Sequence, residues 1–145
     1  MSHADTIPAL MIKRTFDAPP EAVFDAWLSK SWGEWAGPPG VRGEVTMMEP
    51  RVGGRYRVVM HVPSGNDIAV GGVYREIARP GRLVFTWKWE HEEQDTLITL
   101  SFRAAGEGTE MTLRHEGFGS VERRDSHNNG WNGTLDKLTT FLAKG

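Results

Sequence analysis

The chain has 145 residues, of which 39% are hydrophobic and 25% charged, a composition that is neither that of a disordered chain nor that of a membrane protein. Its net charge of −2 comes from 17 basic and 19 acidic residues spread without blocks. Arg123–Arg124 is the closest approach to a basic run, too small for a nucleic-acid footprint, and no apolar stretch nears the ~18 residues of a membrane-inserting helix.

The length matches a single domain over residues 1–145, with residues 1–8 expected as a frayed tail. The opening Met1–Leu10 lacks a basic and an apolar signal region, and cysteine is absent, so a cytoplasmic protein without disulfides or a thiol nucleophile is expected. Six tryptophans, at 27, 32, 35, 87, 89 and 131, are many for this length. Large aromatics either fill a core or wall a pocket.

A strand begins at Leu10 and Ile12 and runs to Thr15–Phe16, with Met11 and Lys13 on its other face. Pro20 suits the first position of a helix and Glu21 its positive end. Val23, Phe24, Trp27 and Leu28 continue at helical spacing, predicting a short helix over about 20–28. Ser31-Trp32-Gly33-Glu34 has the pattern of a capping box and predicts a second short helix or turn. Gly37-Pro38-Pro39-Gly40 is loop.

From Arg42 to Glu116 strands alternate with turns. Glu44–Glu49 alternates weakly; Tyr56, Val58 and Met60 share the inward face of the next strand. Pro63–Asp67 turns into a strand over Ile68–Ile77, where Gly71-Gly72 predicts a bulge or a close backbone approach. Tyr74 shares a face with Gly72 and Glu76, and the pattern does not say which way that face points. Leu83, Phe85, Trp87 and Trp89 face inward on the clearest strand. Ile98, Leu100 and Phe102 align on the following strand, and Met111, Leu113 and His115 on the last. The short connections imply an antiparallel meander.

The segment at about 120–143 reads as a helix, with Trp131, Leu135, Leu138 and Leu142 on one face. Gly130 and Gly133 inside it each cost about 1 kcal/mol relative to alanine, which points to close packing or room for a ligand.

Among candidate chemical groups, His91-Glu92 resembles only half of a zinc-binding HExxH, in a turn and without the second histidine. No metal and no cofactor are expected. His115 on the inward face is either a hydrogen-bonded core histidine or a polar anchor or acid/base in a pocket. His127, four residues before Trp131, either meets the same cavity or lies on the surface near the start of the helix.

Several segments are similar to one family. They are Phe16-Asp17-Ala18-Pro19-Pro20-Glu21-Ala22-Val23-Phe24, Val52-Gly53-Gly54-Arg55-Tyr56, Gly72-Val73-Tyr74-Arg75-Glu76-Ile77, Leu83-Val84-Phe85-Thr86-Trp87, Thr112 to Phe118, and His127-Asn128-Asn129-Gly130-Trp131 followed by Leu135 and Leu138. In this order the chain resembles the Bet v1/START-like (SRPBCC, helix-grip) superfamily, and within it bacterial proteins related to the C-terminal domain of the activator of Hsp90 ATPase. The resemblance implies an α+β fold: a seven-stranded antiparallel sheet wrapped around a long C-terminal helix, with two short helices after the first strand and a cavity between sheet and helix. Relatives include lipid and hormone binders, polyketide cyclases and the Hsp90 co-chaperone.

The leading expectation is binding of a small hydrophobic or amphipathic molecule. Tyr56, Val58, Met60, Phe85, Trp87, Trp89, Ile98, Leu100, Leu113, His115 and Trp131 would contact it. A cyclase- or hydrolase-like enzyme using His115 or His127 in the same cavity is one alternative. The other is a co-chaperone-like interaction module with an Hsp90-type chaperone as partner. The eukaryotic activator's separate N-terminal domain has no counterpart in the sequence, which places that reading last. A monomer or homodimer is expected, with no membrane insertion.

Overall fold

The computed structural model describes residues 7–144. Most of the expected tail over residues 1–8 lies outside the described residues. Strand β1 (Leu10–Phe16) is followed by two helices, α1 (Pro20–Trp27) and α2 (Trp32–Trp35). Six strands come next: β2 (Arg42–Met48), β3 (Arg55–His61), β4 (Ile68–Ala78), β5 (Arg82–Trp89), β6 (Thr96–Ala105) and β7 (Gly108–Glu116). Helix α3 (Val121–Ala143) closes the fold.

All seven strands form one antiparallel sheet in the order β1-β7-β6-β5-β4-β3-β2. Consecutive hairpins build β2 to β7, and β1 pairs with β7, so β1 and β2 are the two edges. The period-2 patterns place Tyr56, Val58 and Met60, then Leu83, Phe85 and Trp87, then Ile98, Leu100 and Phe102, then Met111, Leu113 and His115 in the core. Helix α3 packs against it through Trp131, Thr134, Leu135 and Leu138, while Leu142 is only partly buried. Ser120 caps α3, its Oγ accepting from the Arg123 amide at 3.1 Å.

Two local expectations are refined. Ser31 precedes α2 but is itself in a helical conformation and makes no side-chain cap; its Oγ meets Ser29 Oγ at 2.6 Å. The capping box therefore does not form, because a capping residue needs extended backbone to aim its oxygen at the helix amides. The Gly71-Gly72 pair marks a close backbone approach, since a side chain at Gly72 would strike the Thr86 carbonyl. The β4–β5 register shifts slightly further on, between Tyr74 and Glu76. Beside Gly72, Thr86 turns its hydroxyl to the Val73 amide at 2.8 Å and its carbonyl to the Tyr56 hydroxyl at 2.5 Å.

Beneath α3 the gap is filled by aromatic rings. Trp27 packs edge-on to Trp35 with centroids 4.7 Å apart, and touches Trp32, Phe85 and Trp131. Tyr74 is buried beside Tyr56, at 5.4 Å, which settles its face as the inner one. Among the described residues, no helix is long and apolar enough to cross a membrane.

Candidate functional site

The aromatic packing stops short at one end of the sheet. There the loop after α2, the ends of β3, β4 and β5, and the first half of α3 enclose a cleft of about 200 Å³. Four indoles line it: Trp32, Trp87, Trp89 and Trp131. Trp87 sits at its centre, with ring centroids 5.0 Å from Trp131, 5.5 Å from Trp89 and 6.4 Å from Trp32. Met60, Ile68 and Pro38 add aliphatic wall. Helix α3 contributes Arg123, Ser126, His127, Gly130, Trp131 and Thr134, which recur at helical spacing along one face.

The loop wall is held in place by Lys137. Its Nζ donates to the carbonyls of Ala36 at 2.9 Å, Val41 at 2.8 Å and Pro38 at 3.4 Å. Partial burial lowers the pKa of this ammonium from its ordinary value. Gly133 explains how closely the loop approaches: a Cβ there would lie 2.7 Å from Pro39 Cδ. Gly130 faces open space at the cleft, so its missing side chain leaves room rather than relieving a contact.

Two histidines stand beside the cleft with their rings nearly perpendicular and 5.2 Å apart. His115 is fully buried. Its Nδ1 accepts from the Trp131 indole at 3.1 Å, and its Nε2 lies 2.7 Å from Thr96 Oγ1. Thr96 in turn donates to the Trp87 carbonyl at 2.7 Å. The donors can be satisfied in only one sense, from indole to imidazole to hydroxyl to carbonyl, which places the imidazole proton on Nε2. Burial, and secondarily the neighbouring His127, push the His115 pKa down to about 2. His127 is neutral by the same logic with the opposite tautomer. Its Nε2 accepts from the Trp89 indole at 2.9 Å and its Nδ1 donates to the Arg123 carbonyl at 2.8 Å. Burial is the main cause that lowers its pKa.

Trp87, Trp89, Arg123 and His127 also line a second hollow, of about 400 Å³, together with Glu92, Glu93, Gln94, Thr96, Phe118 and Gly119. The Trp89–His127 hydrogen bond thus joins two residues that both hollows share.

Of the residues expected from sequence to contact a ligand, Met60, Trp87, Trp89 and Trp131 line the 200 Å³ cleft. Tyr56, Val58, Phe85, Ile98, Leu100, Leu113 and His115 lie in the packed core. His127 does line the cleft. Sequence reasoning left out Trp32, Pro38, Ile68, His91, Arg123, Ser126 and Thr134. Part of that set was detectable: at helical spacing Arg123 continues the face of His127 and Trp131 toward the N-terminus of the helix, and Thr134 continues it toward the C-terminus. The loop wall carried no such periodic signal. Among the described residues, no three histidine, aspartate or glutamate side chains gather as a metal site.

Comparison with known proteins accords with this architecture. Protein CV1439 from Chromobacterium violaceum has a solved structure that superposes with a TM-score of 0.87 at 25% identity, covering 93% of this chain and 96% of that one. The AHSA1 (SPO3351) protein from Silicibacter pomeroyi superposes with a TM-score of 0.81 at 27% identity, covering 93% and 97%. No curated protein is significantly similar to the chain. A family model described as Activator of Hsp90 ATPase homolog 1-like protein matches residues 17–143. The chain therefore belongs to the Activator of Hsp90 ATPase homolog 1-like protein family, in the Bet v1/START-like superfamily of helix-grip folds.

Proposed function

We propose that the protein binds a small apolar or amphipathic molecule in the cleft between the end of the sheet and α3. The observation that carries this is the wall of four indoles around an open volume in a core that is otherwise closely packed. Indoles bring large rigid contact area with little entropy to lose, so lining an empty space with them favours a flat apolar occupant. The volume of about 200 Å³ is below the roughly 300–1,000 Å³ common for drug-sized ligands, so the occupant is small.

Binding is better supported than catalysis. A general base needs a free nitrogen within reach of substrate. Both ring nitrogens of His115 and both of His127 are already engaged by protein groups. A co-chaperone-like surface has less support. The large exposed apolar side chains include Met11 on β1 and Met47 on β2, at opposite edges of the sheet, and do not form one patch.

The test is a paired measurement on the purified protein. A compound that enters the cleft changes tryptophan emission and raises thermal stability together. Occupancy at a hundredfold excess over Kd adds about 2.7 kcal/mol of stability. A broad set of small aromatic and amphipathic compounds that moves neither signal would refute the proposal.

A further inference from the structure

Trp87, Trp89, Arg123 and His127 line both the cleft of about 200 Å³ and the hollow of about 400 Å³ beside it, so the two spaces share a wall. Trp87 is buried and belongs to the packed core. Arg123 is drawn toward the loop between β5 and β6, with Nη2 at 2.8 Å and 2.6 Å from the two carboxylate oxygens of Glu92. The side chains of Trp89 and His127 remain as the divider. They meet between the end of β5 and α3 in a hydrogen bond of 2.9 Å.

Both rings of the divider are held from more than one side. His127 Nδ1 donates to the Arg123 carbonyl one helical turn back, at 2.8 Å, and the imidazole packs against Phe118 and His115 with ring centroids 5.0 Å and 5.2 Å away. The Trp89 indole stands edge-on to Trp87 at 5.5 Å. Neither ring can swing aside without giving up a hydrogen bond between part-buried groups. The spaces on the two sides also differ in chemistry. Indoles, Met60 and Ile68 wall the cleft, whereas Glu92, Glu93 and Gln94 give the hollow a polar end.

Resting on the reading of the cleft as a ligand site, we infer that the Trp89–His127 pair determines which ligands it accepts by length. With the pair in place the occupant is compact, a flat ring with at most a short chain. Removing either ring joins the two hollows into one site for an elongated amphipathic molecule, its apolar body among the indoles and its polar end toward Glu92, Glu93 and Gln94. The joined space falls within the roughly 300–1,000 Å³ common for drug-sized ligands, whereas the cleft alone falls below it.

The experiment uses compounds with one ring and a lengthening chain: benzyl alcohol, phenylpropanol, phenylhexanol and phenyldecanol, each with its hydroxyl at the far end. Binding is read by tryptophan emission and by the rise in melting temperature. In the native protein affinity is expected to grow about fourfold per methylene up to phenylpropanol, the gain from burying one CH₂, and to stop growing by phenylhexanol. In His127→Ala the growth should continue, so that phenyldecanol binds at least about tenfold more tightly than to the native protein while benzyl alcohol changes by less than about twofold. Trp89→Leu shortens the other half of the divider and should extend the accepted length in the same way. His127→Gln keeps an acceptor for the Trp89 indole and much of the side-chain volume, and should keep the native cut-off. Native affinity that goes on rising through phenyldecanol overturns the inference while leaving the cleft as a ligand site. So does an unchanged cut-off in both His127→Ala and Trp89→Leu. Failure of every compound to bind the native protein by either signal removes the ligand site itself. Should one of the two shortened variants not fold, the cut-off in the native protein and in the other variant still decides.

Discussion

The indole of Trp131 on α3 donates its proton to Nδ1 of His115 on β7 at 3.1 Å, tying the gripping helix to the sheet through one buried neutral imidazole. Protonating that nitrogen would set two donors against each other in a dry site. The folded-state pKa of about 2 lies below the unfolded value near 6.5, so this group's contribution to stability is complete above about pH 6.5 and falls away toward pH 2. The expected loss at pH 4.5 is about 2–3 kcal/mol. His115→Leu leaves the Trp131 N–H unpaired and costs about 1–3 kcal/mol at pH 7. Urea melts of both proteins at pH 7 and 4.5 check this: the gap between them should close by about 2–3 kcal/mol on acidification. A gap independent of pH would show that the buried imidazole does not govern acid sensitivity.

The two glycines of α3 should part company. Gly133→Ala drives a methyl into the Pro39 ring, whose closed geometry cannot swing aside, and is expected to destabilise. Gly130→Ala meets nothing within 4 Å and should stabilise by up to about 1 kcal/mol, as the better helix former. The same methyl projects at the cleft, so ligand affinity should fall while the melting temperature rises. Equal and favourable effects of both changes in urea melts would remove any packing role for Gly133.

Tyr56 and Tyr74 offer a contrast of two buried phenols in contact. The Tyr56 hydroxyl donates to the Thr86 carbonyl, whereas the Tyr74 hydroxyl has no hydrogen-bond partner. Burial pushes both phenol pKa values up, so neither ionises near neutral pH. Tyr56→Phe should cost about 1–2 kcal/mol, because it removes a hydrogen bond to a part-buried carbonyl. Tyr74→Phe should be neutral or stabilising, since it removes a desolvated hydroxyl that gains nothing in return. Denaturation of the two variants side by side checks the sign, and a larger loss for Tyr74→Phe would contradict it.

Lys137→Met keeps the aliphatic stem and deletes the ammonium that gathers the carbonyls of Ala36, Pro38 and Val41. The expected loss is about 1–2 kcal/mol, moderated because water can reach an exposed loop. The local signature is more telling than the global one. The Val41 amide bonds the Pro38 carbonyl at 3.1 Å across this loop, and its hydrogen exchange should become about tenfold faster. Unchanged exchange at Val41 would show that the loop is held by its prolines and not by the lysine.

What the sequence determined by itself was everything with a short period. Alternation assigned the inward faces of β3, β5, β6 and β7, helical spacing assigned the core face of α3, and turn residues marked the hairpins, because these patterns are written into neighbouring residues. Family-specific segments added the helix-grip architecture, whereas the pairing of β1 with β7, which no local pattern encodes, came from the tertiary structure. Only the tertiary structure decided where the space lies. An inward position is wall or filler depending on what stands opposite. Phe85 and Tyr56 meet Trp27 and Trp32 across the gap and are sealed, whereas Trp87 and Trp89, on the same strand face as Phe85, line the cleft opposite the first half of α3. The state of His115 was likewise undetermined by its neighbours in sequence. Its partners, Thr96 and Trp131, come from a different strand and from the helix, and burial among them is what makes it a neutral link rather than an exposed base.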